Sequence, residues 1–69
     1  MFYFVLNTEK GFICDYNGFG GITQAIRFCS IDDAVKFAKM FVKFMPFNRC
    51  HVLAYRDDEC LANIYDVIV

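Results

Sequence analysis

Sixty-nine residues make one small domain, and a domain of that size buries only about 60% of the surface its unfolded chain exposes. Yet 58% of the residues are hydrophobic, nine Phe and four Tyr among them, against 22% charged. A formal net charge of −1 leaves no general electrostatic footprint for nucleic acid, and no stretch reaches the about 20 apolar residues of a membrane span.

So much apolar surface on so short a chain points to self-association or to a face presented to a partner. The plainer alternative is a tightly packed aromatic core with a few exposed rings. The opening MFYFVLNTEKGF has no basic lead-in, and its apolar run stops at Asn7. It does not read as a secretion signal, and a cytoplasmic protein is the simplest expectation.

Residues 2–7 (FYFVLN), aromatic and β-branched, read as a strand. Apolar residues there do not alternate with polar ones, so both faces of the strand call for cover. Residues 8–11 (TEKG) form a polar connection ending in Gly, and residues 12–16 (FICDY) the return strand. Phe12, Cys14 and Tyr16 share one face of it, Ile13 and Asp15 the other.

Residues 17–21 (NGFGG) are the one glycine-rich stretch. A phosphate-cradling loop would continue with Lys-Ser/Thr or a full dinucleotide fingerprint, but Ile22, Thr23 and Gln24 follow. A turn or bulge between strands is the better reading, with Phe19 at its tip as a contact residue. Residues 22–29 (ITQAIRFC) read as a short strand or an extended lead into a helix.

Residues 30–46 (SIDDAVKFAKMFVKFMP) carry the strongest periodicity in the chain. Ser30 is a good N-cap, Asp32 and Asp33 complement the helix dipole in the first turn, and Pro46 stops the helix. Ile31, Ala34, Val35, Ala38, Phe41, Val42 and Met45 fall on one apolar stripe suited to sit on a sheet. Asp32, Lys36, Lys39 and Lys43 fall opposite, as a solvated face does; the alternative is that the Lys36, Lys39 and Lys43 row touches an acidic partner or phosphates. Phe37, Met40 and Phe44 form a separate ridge at one side. Either a loop folds over that ridge and widens the core, or the ridge is a contact patch for a second subunit or target.

Residues 47–49 read as a loop, and residues 50–56 (CHVLAYR) and 61–69 (LANIYDVIV) as a second pair of strands. Asp57, Asp58 and Glu59 make the acidic turn between them. Three adjacent carboxylates do not by themselves form a metal site, which needs ligands converging from separate elements. Cys14, Cys29, Cys50 and Cys60 lack short pairing, so reduced thiols are expected, several of them buried. Zinc would need Cys-x-x-Cys knuckles, and His51, next to Cys50, points to the opposite face of a strand. No metal and no cofactor is expected. With a single His and no Ser–His–acid grouping, neither is enzymatic activity.

The run Arg27-Phe28-Cys29-Ser30, followed by Asp33-Ala34 and Phe37-Ala38, resembles a pattern of very short phage and prophage proteins. In these a strand ending in Arg-Phe leads through a Ser cap into a helix with an Ala-x-x-Phe-Ala face. The likeness spans about a quarter of the chain and carries no functional residue with it. It implies an accessory protein of a mobile element, of the kind that includes anti-CRISPR and other anti-defence inhibitors. Such proteins bind a host protein and block its site without chemistry of their own.

The expected fold is one α+β domain over residues 1–69, a four-stranded antiparallel sheet with one amphipathic helix on one face, in the order β-β-α-β-β. The expected function is a phage-type protein-binding inhibitor of a bacterial host or defence protein, acting by steric blocking in the host cytoplasm. Its contacts would come from Phe19, Phe37, Met40, Phe44, Lys36, Lys39, Lys43 and the Asp57, Asp58, Glu59 turn. Two alternatives stand beside it. One is a nucleic-acid-binding accessory protein using the helix lysines with Arg49 and Arg56; the other is a homo-oligomer, such as a homodimer, holding a small ligand.

Overall fold

The computed structural model describes residues 2–14, 18–44 and 49–68, with the side chains of Phe44 and Ile68 excepted. Strand β1 (Phe2–Thr8) turns through Glu9 and Lys10 into β2 (Gly11–Ile13), and β3 (Phe19–Gly20) follows. A 3-10 turn (Ile22–Gln24) and an extended segment lead to helix α1 (Ile31–Phe44). The hairpin of β4 (Arg49–Arg56) and β5 (Glu59–Ile68) completes the chain.

The fold is α+β with an antiparallel sheet, and the sheet has five strands in the order β3-β2-β1-β4-β5, not four. The additional strand is β3, two residues from the glycine-rich stretch. It pairs Phe12 with Gly20 and Ile13 with Phe19. Phe19 is therefore held in the sheet rather than carried on a loop tip. Gly11, at φ 119°, closes the first hairpin; a side chain there would also crowd the carbonyl oxygen of Gly20.

The continuous apolar run of β1 is explained by its place. It is the central strand, and both of its faces are covered. Phe4 and Leu6 face the helix within a core that includes Ile13, Ala34, Ala38, Phe41, Val42, Cys50, Val52 and Val67. Tyr3 and Val5 face the other way and form a second cluster with Tyr55 and Ala25, flanked by Phe12, Ile22 and Leu53. The 3-10 turn and the residues after it supply the cover on that second face. Their course is pinned by paired bonds, Phe4 N–H to Phe28 O at 2.8 Å and Phe28 N–H to Phe4 O at 2.9 Å. Arg27, next to Phe28, lays its guanidinium 4.5 Å from the centre of the Tyr3 ring.

The helix begins as its sequence dictates. Ser30 Oγ accepts the N–H of Asp32 at 3.2 Å, and Ser30 O takes the first helical bond, from Ala34. Ala34 and Ala38 are fully buried, and their small side chains let α1 lie close on β1, β4 and β5. Ile31, placed on the core stripe by periodicity, is instead exposed at the rim of that contact. Met45 and Pro46 lie outside the described residues. No helix among the described residues is long and apolar enough to cross a membrane.

The β4–β5 hairpin turns on Asp57 and Asp58 alone. Glu59 already belongs to β5, opposite Arg56, so the acidic turn is shorter and the strand longer than the sequence reading has them. Asp57 sits at φ 55°, a left-handed conformation that Asp tolerates better than most residues. The Tyr3 hydroxyl donates to its carbonyl oxygen.

Candidate functional site

The ridge expected on α1 is divided by the fold. Phe37 is half-buried: its ring lies 5.4 Å from Phe28 and 5.9 Å from Phe41, stacked on the latter. The segment before the helix thus folds over Phe37 and widens the core there. Phe19 meets Phe41 edge-on at 6.2 Å on the same side. Met40 alone of the ridge is described as exposed, at 43%, while the Phe44 side chain lies outside the described residues. Lys36, Lys39 and Lys43 are all exposed.

The larger run of uncovered apolar surface is on β5. This ten-residue strand is the sheet edge, and every side chain from Glu59 to Asp66 is exposed. Leu61 (40%), Ile64 (38%) and Tyr65 (44%) are the large apolar ones. Two register shifts in its pairing with β4 set β5 apart from a plain strand. One falls between the Ala54–Ala62 and Tyr55–Cys60 pairs and leaves Leu61 unopposed. The other falls between Val52–Tyr65 and Leu53–Asn63 and leaves Ile64 unopposed. Beyond them Tyr65, opposite Val52, projects on the helix side of the sheet.

There β5 and α1 bound an open groove of about 410 Å³, lined by Ile31, Asp32, Val35, Lys36, Lys39 and Tyr65. Ile31, Val35 and Tyr65 give it apolar walls, and its charged groups are the Lys36 and Lys39 ammoniums and the Asp32 carboxylate. Lys43, one turn beyond Lys39, continues the basic row along the same side of the helix. The groove opens onto a strand edge whose outward N–H and C=O groups have no neighbouring strand among the described residues. Apolar pockets, lysines and an unpaired backbone edge together suit an extended protein segment carrying acidic side chains.

The opposite face of the same hairpin holds a polar cluster that reading the chain alone does not reveal. His51 Nδ1 lies 2.6 Å from Asp66 Oδ1, with the Asn63 amide 3.2 Å from the same nitrogen. An ionised carboxylate only accepts, so Nδ1–H donates to Asp66 and the lone pair of the neutral ring lies on Nε2. The bonds from His51 and then from Asn63 hold the Asp66 carboxyl below its usual range. An oriented imidazole of this kind could act as a general base only with a nucleophile at Nε2. Cys50 is not that nucleophile: it is fully buried on the other face, and burial pushes its thiol up to about 11. Cys60 shares the His51 face but lies near Tyr55, whose hydroxyl is shifted upward by burial and then by Cys60.

All four cysteines are free thiols, Cys29 and Cys60 exposed and Cys14 half-buried. Among the described residues no group of three or more His, Cys, Asp or Glu side chains is placed to hold a metal ion. No protein-family model, curated protein or solved structure matches this chain.

Proposed function

We propose that the chain is a non-enzymatic protein-binding module that docks its partner along the free edge of β5 and the groove beneath α1. The observation carrying this reading is the exposure of Leu61, Ile64 and Tyr65 on the edge strand of the sheet, beside the Lys36–Lys39 rim. A partner strand added there gains main-chain hydrogen bonds from the edge. It gains selectivity from alternate side chains, apolar ones entering the groove and acidic ones meeting the lysines. In the phage-type setting implied by the Arg27–Ala38 resemblance, the partner is a bacterial host or defence protein, and the bound module blocks it sterically.

The test is affinity capture from bacterial lysate with the chain as bait, run in parallel with two variants. The same bound protein should be retained by the unchanged chain and lost on Tyr65→Ser combined with Lys36→Glu and Lys39→Glu. It should survive His51→Gln on the opposite face of the hairpin. Binding that ignores the β5-side substitutions would refute the proposed surface.

A further inference from the structure

We infer that in the free chain the place beside β5 is taken by a second copy, its own β5 running antiparallel to the first; this rests on β5 being a docking edge. Antiparallel pairing of two identical edge strands requires a two-fold axis perpendicular to the sheet. Two five-stranded sheets then become one of ten, with both helices on the same face. The other edge of each sheet, β3, is two residues long, so growth ends at the dimer.

Charge complementarity favours this occupant. Helix α1 ends at Phe44 and β4 begins at Arg49, which pairs with Ile68. The C-terminal turns of the helix therefore stand toward the C-terminal end of β5. With the axis near the middle of the strand, antiparallel pairing brings Asp57, Asp58 and Glu59 of the second copy to that end. They arrive on the helix side of the sheet, where Lys39 lines the groove beside Tyr65 and Lys43 follows one helical turn further on. Symmetry repeats the contact, so unlike charges meet twice. A parallel pairing would leave the acidic turns of both copies together at the other end.

The apolar groove fits the same arrangement. With that axis Tyr65 would lie opposite about Ala62 of the second copy across a seam of two strands about 4.8 Å apart, with Ile31 and Val35 lining the groove above it. The chain exposes 4450 Å² in all, and a dimer of standard size needs about 800 Å² from each partner, roughly a fifth of that surface. The bulges at Leu61 and Ile64 add twist to the edge, which restrains indiscriminate pairing, while an identically twisted strand can follow it.

The experiment is light scattering on the unchanged chain and on two charge-reversed variants. One carries Lys36→Glu, Lys39→Glu and Lys43→Glu; the other carries Asp58→Lys and Glu59→Lys. At about 100 µM the unchanged chain should scatter as a dimer of about 16 kDa, against 8.0 kDa for one chain. Each variant alone places like charges at both contacts and should lose dimerisation, with circular dichroism unchanged. Mixed in equal amounts they restore both contacts and should dimerise again. A monomeric unchanged chain, variants that dimerise alone, or a mixture that stays monomeric would each overturn the inference. Failure here is separable from failure of protein binding. A monomer whose captured partner is still lost on the β5-side substitutions keeps that reading and discards only the self-paired dimer.

Discussion

Phe28 lies against Phe37, ring centres 5.4 Å apart, and this contact decides which part of the helix belongs to the core. The residue just ahead of the Ser30 cap reaches back over the helix and is fixed by its backbone pairing with Phe4. Truncating Phe37 therefore opens a cavity against both Phe28 and Phe41. Phe37→Ala should destabilise the fold by about 2–3 kcal/mol, at the lower end for a large core residue because it is only half-buried. Met40→Ala, on the exposed neighbour, should stay within about 0.5 kcal/mol. Urea denaturation followed by circular dichroism measures both; equal effects would mean that Phe37 is not a core residue.

Tyr3 joins β1 to the β4–β5 hairpin. Its ring stacks on Tyr55 at 5.7 Å, and its hydroxyl donates to the carbonyl of Asp57 in the hairpin turn. Tyr3→Phe keeps the stack and removes only the bond, which should cost about 1 kcal/mol. The loss should appear as a lower urea midpoint with an unchanged slope.

The cysteines should separate by reactivity. Cys29 and Cys60 are exposed and should react with a thiol reagent in the native protein, whereas Cys50 should react only on unfolding. Burial raises the folded-state thiol of Cys50 to about 11, so the unfolded chain gives up that proton first as pH rises. The stability this group contributes is whole below the ordinary thiol range and declines from there until pH passes about 11. Cys50→Ala should remove that part of the alkaline decline, at some cost in packing.

Asp66 gives the opposite sign. Its carboxyl is held low by His51 and Asn63, so its contribution is present above the ordinary carboxylate range and is lost as pH falls through the lowered value. A carbon-detected titration of the Asp66 carboxyl should show a midpoint below that of a free Asp, and His51→Gln should move it back up.

The sequence discloses the helix well because its signals are local: a Ser cap, acidic first turn and a period of 3.6 over fourteen residues. The β3 strand is illegible in it, since two residues cannot show a period. The polar cluster is hidden for a different reason. Counting outward from the Asp57–Asp58 turn, with Arg56 opposite Glu59, sets His51 opposite Ile64. The two bulges add two residues to β5, and His51 meets Asp66 instead. The same bulges leave Leu61 and Ile64 without strand partners. Periodicity thus assigns the surplus apolar surface to the helix ridge, while the fold exposes much of it on β5.

The account turns on whether the edge of β5 is engaged, and backbone hydrogen exchange of β5 as a function of chain concentration tests it most directly. In its regularly paired stretches alternate β5 amides point to β4 whatever the state of assembly; the others point outward from the sheet edge. Between about 1 and 500 µM the outward amides should pass from rapid exchange to protection as a second copy pairs with them. Outward amides that exchange at the same fast rate throughout, and stay fast with the captured partner bound, would contradict both the dimer and the docking edge.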